Sequence, residues 1–525
     1  MRRSYASSGN FRSITRVTEV DLRKPLALAA AASGALGSGV LLATGAEPGT
    51  VLVPFSVGAL VALLVVPFPL ADYLLAFSLI ATFPLAPPLG LPNIPLALAV
   101  VVVALARVWS AERRLPAPYA LATLGSLWVL IGLGVVLSNF PPLGVWLRPA
   151  AIVAVAALAS LLGLLVWRNP RRRLRWFRGV VVASVFVSAS ALAVFVLQYA
   201  LPPVAMAEWM AQLLGYLRGA SAAEKFAAQT NWIIWGQPDN TLRAVSPLFP
   251  APNNVGGYIG IIGPLAAYIW LTARAQAWRF IAATAVVLMT LTLVLTYSRS
   301  SWLAAACAGV AAAALLLVVS LRHRGDLALP PRQTLGRYSL IVGSAVLLGV
   351  AGLATTSNDE TFMRLATPDQ DHSVIERVEG DAAALERIRG DVFRGTGLGN
   401  WTGLADAELA RRDPNRVDYV HNVYLEYANA TGIFGLLWAV GVVALPIFGG
   451  LRVAFRSQAA QLRLLGIALL TIGVFAGVQF LFDDNLLNPQ YAWLLLWVVG
   501  GGVALAATGS GHSRSGGRPQ EAARS

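Results

Sequence analysis

The chain has 525 residues, of which 57% are hydrophobic and 13% charged, and it carries a formal net charge of +14. Apolar runs of about 20 residues recur without a charge, and each is long enough to cross a hydrocarbon core of roughly 30 Å as a helix. This composition excludes an ordinary soluble domain, and the single cysteine, Cys307, excludes an internal disulfide or a thiolate metal cluster. We therefore predict an all-α fold, a polytopic bundle of transmembrane helices.

The first element is a basic tail, residues 1–24, which an apolar run follows. We interpret this run as a retained membrane helix and not as a cleaved signal peptide, because no ordinary soluble domain comes after it. The predicted spans, about 14 in number, lie at residues 25–44, 51–67, 70–85, 92–108, 117–138, 147–167, 178–200, 253–273, 279–297, 301–321, 337–355, 431–450, 462–482 and 490–508. Residues 509–525 have the low-complexity composition of a disordered end.

Positive charge assigns a side of the membrane to each loop, because arginine and lysine bias short loops to the cytoplasm. With a cytoplasmic N-terminus, the cytoplasmic loops are basic at residues 107–114, 168–178, 274–279, 322–337 and 452–463. Both termini are then cytoplasmic, and the two long loops are extracytoplasmic. We attribute the basic loops to topology and to contact with anionic membrane lipids. Nucleic-acid binding would need aromatic residues among these charges on a soluble face, which the sequence does not offer.

These assignments divide the chain into consecutive segments. They are a cytoplasmic basic tail (1–24), an N-terminal transmembrane bundle (25–200), an extracytoplasmic loop (201–252), central transmembrane helices (253–355), a large extracytoplasmic catalytic loop (356–430), C-terminal transmembrane helices (431–508) and a disordered cytoplasmic tail (509–525). The loop at 356–430 is the longest interruption of the apolar pattern and holds two of the four histidines. We therefore expect the chemistry of the protein in this loop.

A surface helix is predicted inside this loop, at residues 374–389. Ser373 and Glu376 have the spacing of a capping box, and apolar residues recur after them at helical intervals. Arg377 then lies in the first turn, where a guanidinium and free backbone amides together suit a phosphate group. The alternative is a surface pair between Arg377 and Asp381, one turn apart on the helix.

Two further features follow this helix. The glycines of RGTGLGNW (394–401) lack the strand and helix that flank a nucleotide fingerprint, so we predict a tight turn that shapes the return of the loop to the membrane. His421 opens a helix that re-enters the bilayer. An imidazole there, with an ordinary pKa of about 6.5, is suited to taking a proton from a sugar hydroxyl. The alternative is a histidine that only forms structural hydrogen bonds.

Arg299 lies at the predicted outer junction of two apolar spans, with no acidic residue near it in the sequence. An arginine so close to hydrocarbon is costly unless it is paired or meets an anion, although snorkelling to the interface is an alternative. Carboxylates compete with histidine for the role of base, and the candidates are Glu379, Asp391 and Glu426. The alternative for these three acids is to balance the arginines of the loop. Asp483 and Asp484, at another predicted outer helix end, are candidates to line the same cavity or to bind a cation, although two adjacent carboxylates point to different faces of a helix.

The order of these motifs resembles the O-antigen ligase and O-antigen polymerase superfamily. The motifs are YSRSSWLA, SVIERVEGDAAALERIRGDVFRGTGLGNW, HNVYLEYANATGIFGLLW and FDDNLLNPQYAWLLLWVVGG, and RAVSPLFPAPNNVGGYIG upstream is similar to the asparagine-containing helix start of that family. The resemblance covers residues 243–501, about half of the chain. At Asp381, Val392 and Phe393 this sequence departs from the pattern that many relatives share.

The resemblance implies an integral-membrane glycosyltransferase of the GT-C type in the bacterial plasma membrane. Such an enzyme moves a glycan from an undecaprenyl-diphosphate carrier to a glycan, lipid or protein acceptor on the outer face, with inversion and with no metal ion or other cofactor. By position in the motifs, the catalytic residues are Arg299, Arg377 and His421. The expected substrate contacts are Arg243, Asn254, Asn422, Tyr424 and Asp484.

Three alternatives remain open from the sequence. A polysaccharide polymerase would use the same donor and similar residues. A flippase for lipid-linked oligosaccharides, or another transporter, would also need arginines for the diphosphate, but transporters commonly place polar, broken helices at the midplane. A cell-wall synthase would place an essential acidic residue such as Asp391 in the main outer loop.

Overall fold

The computed structural model describes residues 61, 70–81, 95–112, 116–139, 143–201, 205, 206, 208–212, 244–246, 249, 251–322, 372–398, 420–483, 486 and 489–508. Within these residues the protein is helical, and the only β-type pairing is an isolated bridge between Ser246 and Phe249. The predicted spans at 25–44 and 337–355, the span at 51–67 apart from residue 61, and both chain ends lie outside the described residues.

The helices of the described residues are numbered here in chain order. They are α1 (Leu70–Ala81), α2 (Pro95–Glu112), α3 (Pro118–Leu137), α4 (Leu143–Arg168), α5 (Pro170–Ala200), α6 (Pro252–Thr272), α7 (Gln276–Leu295), α8 (Arg299–Arg322), α9 (His372–Gly390), α10 (Val423–Arg456), α11 (Ala460–Gln479) and α12 (Pro489–Thr508).

Eight of the described helices are long and apolar enough to cross a membrane, namely α3 to α8, α10 and α11. This confirms a multi-pass helical membrane protein, while the number of about 14 spans and the cytoplasmic placement of both ends stay predictions. The predicted loop helix at 374–389 is α9. The helix that His421 is predicted to open is α10, which begins at Val423 and continues across a break at Thr431 and Gly432 into the span predicted at 431–450.

The tightest helix pair in the described core is α4 with α12. A Cβ built on Gly500 would lie 1.8 Å from the Ser160 carbonyl oxygen, and one built on Gly163 would lie 2.0 Å from the Trp497 carbonyl oxygen. Only residues without a side chain allow such close approach, which is how helices commonly pack in a bilayer. Trp167 fills the adjacent space, with its ring edge-on to Trp497 at 5.2 Å between centroids.

One end of the bundle carries the basic segment 168–178, which is predicted to be cytoplasmic. Asp72 at the start of α1 is fully buried there. Its carboxylate pairs with the Arg175 guanidinium at 2.7 Å and accepts a hydrogen bond of 3.2 Å from the Trp176 indole nitrogen. A carboxylate so deeply buried needs such partners, because an unpaired charge in this position would be costly.

The other end of the bundle holds a group of polar residues around the end of α11. Helices α6, α8 and α10 begin at this end, and α11 finishes there. All three of these helices pack against α11, and α9 packs against α10. The end of α11 is therefore the place where first turns from several parts of the chain meet.

Candidate active site

A buried carboxylate, Asp483, lies at the point where α11 ends. Its side chain accepts a hydrogen bond of 2.7 Å from the Asn253 amide at the start of α6. Its other oxygen accepts a hydrogen bond from the Ser300 hydroxyl at the start of α8. Asp483 is only 2% exposed. Because charge-assisted hydrogen bonds compensate a buried carboxylate, these contacts join three separate helices.

Gln479, one turn earlier on α11, extends this arrangement. Its amide donates to the Asn253 carbonyl at 3.3 Å and to the Ser301 hydroxyl at 3.0 Å. The hydroxyl of Tyr491 on α12 donates to the Gln479 side-chain oxygen at 3.5 Å. We refer to Asn253, Ser300, Gln479 and Asp483 together as the Asp483 junction.

Arg377 reaches the Asp483 junction from the first turns of α9. Its Nη2 atom lies 3.8 Å from Asp483 Oδ1, and its side chain is 28% exposed while that of Asp483 is 3% exposed. This separation is longer than a hydrogen bond, so the pair orients the guanidinium without using its donors fully. A guanidinium has five N–H donors, and an exposed one can offer several of them to an anion.

The alternative pair on α9, Arg377 with Asp381, also has support in the structure. Burial raises the pKa of the Asp381 carboxyl to about 6, although a hydrogen bond from Asn422 and the positive charge of Arg377 both act to lower it. Arg377 therefore acts on carboxylates on two sides, Asp483 across the helices and Asp381 one turn along its own helix.

Asn422 places His421 at the start of α10. The Asn422 side-chain oxygen accepts hydrogen bonds from the backbone N–H groups of Tyr424 at 3.0 Å and Leu425 at 3.3 Å, so Asn422 is the N-cap of the helix. His421, immediately before it, is half-buried. The side chain of Asn422 also contacts the Asp381 carboxyl, so α9 lies next to the N-cap of α10.

The start of α10 is also fixed to the end of α11. The Val423 N–H donates to the Phe480 carbonyl at 2.9 Å. The Tyr424 hydroxyl donates to the Gly477 carbonyl at 3.1 Å, and its ring lies edge-on to Phe480 at 6.1 Å between centroids. These bonds fix the start of α10, which His421 precedes, to Phe480, and Phe480 is three residues before Asp483 in the chain. The role of Tyr424 as a substrate contact stays a prediction. In the structure the Tyr424 hydroxyl donates its hydrogen bond to the Gly477 carbonyl and not outward.

The glycine-rich turn after α9 inserts into the break of α10. Thr396 and Gly397 donate their N–H groups to the Asn429 and Ala430 carbonyls at 2.8 and 2.9 Å. Ile433 donates in return to the Val392 carbonyl at 2.8 Å. These bonds satisfy backbone groups that the break leaves without helical partners. The turn therefore brings the chain back to the bundle, as the sequence indicates.

Arg299 begins α8 directly after a strained turn. Tyr297 has a φ of 54°, in the left-handed region that residues with a side chain rarely adopt. The Ser298 hydroxyl accepts a hydrogen bond of 3.3 Å from the Ser301 N–H and so caps the helix. Arg299 is half-buried and stands next to Ser300, one of the residues of the Asp483 junction.

The remaining predicted contacts are only partly visible. Arg243 and Asp484 lie outside the described residues, although the neighbour of Arg243, Ala244, donates its N–H to the Leu295 carbonyl at 2.7 Å. The Asn254 N–H closes the first turn of α6 onto the Ala251 carbonyl at 3.0 Å. The contact to the Asp483 junction comes from the preceding residue, Asn253.

The acidic candidates for the base occupy different environments. Asp391 is exposed, and its side chain accepts hydrogen bonds from the Phe393 and Arg394 N–H groups at 3.2 and 3.0 Å. These bonds stabilise the local turn, which is a sufficient structural role for this aspartate. Glu379 lies on an exposed face of α9. Glu426 is 2% exposed, in the first turn of α10.

The sequence alone did not single out Asn253, Ser300 or Gln479. Each is a polar residue at the end of an otherwise apolar helix, in PNNVGG, SRSSW and GVQF. A search for polar residues at predicted outer helix ends could have found them. Their pairing could not be deduced, because it depends on which helices are neighbours in space.

Comparison with known proteins places part of this site in a family. Residues 284–440 match the model of the O-antigen ligase family. The match contains Arg299, Arg377 and His421, while Asn253 and Asp483 lie on either side of it. No curated protein sequence is significantly similar to the chain. The O-antigen ligase domain matched in this way covers less than a third of the chain, and it confirms the predicted resemblance to the O-antigen ligase superfamily.

Proposed function

We propose that the protein is a membrane glycosyltransferase of the GT-C type. It transfers an oligo- or polysaccharide from undecaprenyl diphosphate to an acceptor on the outer face of the bacterial plasma membrane, with inversion and without a metal ion. One observation carries this proposal: Arg377 is oriented by the buried Asp483, at the same helix ends where Asn422 places His421. The O-antigen ligase domain supports a lipid-linked glycan as the donor.

The arginines act on the leaving group. In the transfer, the bond between the anomeric carbon of the glycan and the diphosphate oxygen breaks, and negative charge develops on that oxygen. A guanidinium offers paired donors that match phosphate geometry, and it stays protonated throughout. Arg377 is partly exposed and oriented from one side, so its remaining donors are available for the diphosphate. Arg299, next to Ser300, supplies the second positive charge.

His421 acts on the acceptor. An acceptor hydroxyl attacks the anomeric carbon from the face opposite the diphosphate, and a glycosidic bond forms as the bond to the diphosphate breaks. The hydroxyl proton passes to the imidazole of His421, and the diphosphate lipid leaves with the electron pair of the broken bond. This single displacement inverts the anomeric centre. It also needs the donor and the acceptor to be held close together. The contact of Arg377 with Asp483 and the Asn422 cap beside His421 are suited to that task.

A polymerase with the same donor is the nearest alternative, and it differs only in that its acceptor is another lipid-linked glycan. A flippase is a different class of protein. The described polar contacts of Arg377 and Asp483 lie at helix ends, whereas transporters commonly place broken helices and binding sites near the midplane. This position favours an enzyme whose active site faces one side of the membrane.

The test is transfer of a labelled glycan from undecaprenyl diphosphate in proteoliposomes, with flipping of the same lipid measured in parallel. Arg377→Ala and His421→Ala are compared with Glu386→Ala, which changes an exposed residue of α9. We expect transfer to survive EDTA, to fall at least 100-fold in the first two variants, and to be unchanged in the third. Near-wild-type transfer in both Arg377→Ala and His421→Ala, or flipping without transfer, contradicts the proposal.

A further inference from the structure

One face of α9 rests on the start of α10, and Asp381 lies on that face. Arg377, Gly380, Asp381 and Ala384 recur at intervals of three, four and seven residues, which places them on one side of the helix. Gly380 and Ala384 are buried, and Ala384 packs against Val420 just before His421. The small residues let α9 approach closely, so Asp381 lies against the residues that surround the predicted base.

The partner of Asp381 on α10 is fixed in its orientation. The Asn422 side-chain oxygen is occupied by two backbone N–H groups of the first turn. Its NH₂ group is therefore the part that donates to the Asp381 carboxylate. A flipped amide would lose the cap and the contact together. The Asn422 side chain thus connects the position of Asp381 directly to the position of the helix that His421 precedes.

Stability alone does not explain an aspartate at this position. The Oδ1 atom of Asp381 is buried and has no hydrogen-bond partner among the described residues. A buried acceptor without a partner costs free energy, and an apolar residue of similar size would avoid that cost. Burial also raises the pKa of the carboxyl, so the folded protein disfavours its ionised form. An arrangement that is costly for folding but keeps a specific contact indicates a role in function.

We propose that Asp381 is a positioning residue for the transfer reaction. Its carboxylate holds the Asn422 amide on one side and faces Arg377 on the other, and so it sets the separation between the arginine that binds the diphosphate and the histidine that takes the acceptor proton. This inference rests on the proposed function. It makes Asp381 act through its neighbours, without a contact of its own to either substrate.

The proposal predicts a loss of turnover with little loss of donor binding. In Asp381→Ala, Arg377 keeps its pairing with Asp483, so the KM for the lipid-linked donor should stay within about threefold, whereas kcat should fall about 10- to 100-fold because the reacting groups are misplaced. Asp381→Asn keeps an oxygen acceptor for Asn422 and should retain kcat within about threefold. Glu386→Ala, an exposed acidic position of the same helix, is the matched control and should behave as wild type.

A second pair of variants keeps the test valid if Asp381→Ala does not fold. Asn422→Asp preserves the helix cap, because aspartate is also a good N-cap, but it replaces the donor by a second carboxylate. We expect kcat to fall at least tenfold in this variant. The double variant Asp381→Asn with Asn422→Asp restores one donor and one acceptor with their places exchanged, and kcat should recover to within about fivefold of wild type.

Specific results overturn the inference. Wild-type kcat in Asp381→Ala would exclude a positioning role, as would equal losses in Asp381→Ala and Asp381→Asn, or a double variant no better than Asn422→Asp. Arg377→Ala and His421→Ala are assayed in the same preparation. If both keep transfer, the proposed function fails; if both lose it while Asp381→Ala keeps it, only the role of Asp381 fails.

Discussion

The break in α10 gives the sharpest test of how the outer loop is held, and Gly432→Ala is the change that tests it. Gly432 has a φ of 66° and a ψ of −159°, a backbone conformation open almost only to glycine. A residue with a side chain pays about 1–3 kcal/mol for such a conformation. A Cβ at this position would also lie 2.4 Å from the Phe393 carbonyl oxygen and 3.0 Å from that of Val392.

These atoms belong to backbone, so the conflict cannot be relieved by a side-chain rotation. The turn must move away from α10, and the bonds of Thr396, Gly397 and Ile433 across the break are lost with it. Each such hydrogen bond contributes about 0.5–1.5 kcal/mol, so the three together add about 1.5–4.5 kcal/mol to the backbone cost. Since the turn follows α9 directly, we expect Arg377 to lose its place beside Asp483.

The assay is amide hydrogen exchange of residues 392–397 and of α9, combined with glycan transfer in proteoliposomes. Gly309→Ala is the matched control, because Gly309 lies within α8 and a Cβ there would have no atom within 4 Å. We expect exchange at the turn to accelerate at least tenfold and transfer to fall in Gly432→Ala, with neither change in Gly309→Ala. Unchanged exchange at 392–397 in Gly432→Ala would refute the coupling between the break and the turn.

Three further predictions concern the charged residues. Asp483→Ala removes the acceptor of the half-buried Asn253 amide and of the buried Ser300 hydroxyl, which keeps its contact with the Ser298 hydroxyl. At no more than about 1–3 kcal/mol each, the free energy of unfolding should fall by up to about 2–6 kcal/mol, measured by chemical unfolding in detergent. Arg377→Lys keeps the charge but not the planar paired donors, so transfer should recover only partly, to between the Arg377→Ala and wild-type rates. Burial raises the pKa of Asp381 from 3.8 to about 6. The stability that the protonated Asp381 carboxyl gives to the docking of α9 is therefore full below about pH 4 and is lost as the pH rises through about 6. Amide hydrogen exchange of α9, corrected for intrinsic rates, should be slower at the lower pH.

Each of these predictions has its own control. Ser320→Ala removes an exposed hydroxyl of α8 that bonds only within its own helix, and it should leave the free energy of unfolding nearly unchanged, in contrast to Asp483→Ala. Full transfer in Arg377→Lys would show that charge alone suffices. Asp381→Asn should abolish the pH dependence of α9 exchange, and a dependence that persists in this variant would assign it to another group.

Much of the helical architecture could be predicted from the sequence, because apolar runs and charge in short loops depend on local composition. The bounds of α9 agree with the capping and periodicity signals to within two residues. The helix that His421 is predicted to open is α10, which begins two residues later, at Val423. YLEYANAT contains polar residues that interrupt the apolar run, and it is helical because Asn422 caps it and because its first residues bond to the end of α11.

The candidate site was predictable in its residue types and incomplete in its connections. Arg299, Arg377 and His421 stand out as charged or titratable residues beside apolar spans, so a sequence reading can find them. Asp483 appears in the sequence beside Asp484, and nothing local distinguishes the two. The hydrogen bonds of Asp483 to α6 and α8 come from residues about two hundred positions away in the chain, which only the packing of the helices brings together.

The convergence of helix starts at the end of α11 has an electrostatic consequence. The first turns of α6, α8 and α10 meet there, and each helix start carries a partial positive charge of about half an elementary charge from its aligned peptide groups. The site thus has a positive potential that comes from the backbone, in a chain with few lysines. This potential does not depend on pH, and it also explains how a carboxylate as buried as Asp483 is tolerated. If the proposed function holds, this field attracts the negative charge of the lipid diphosphate in addition to the attraction of the two arginines.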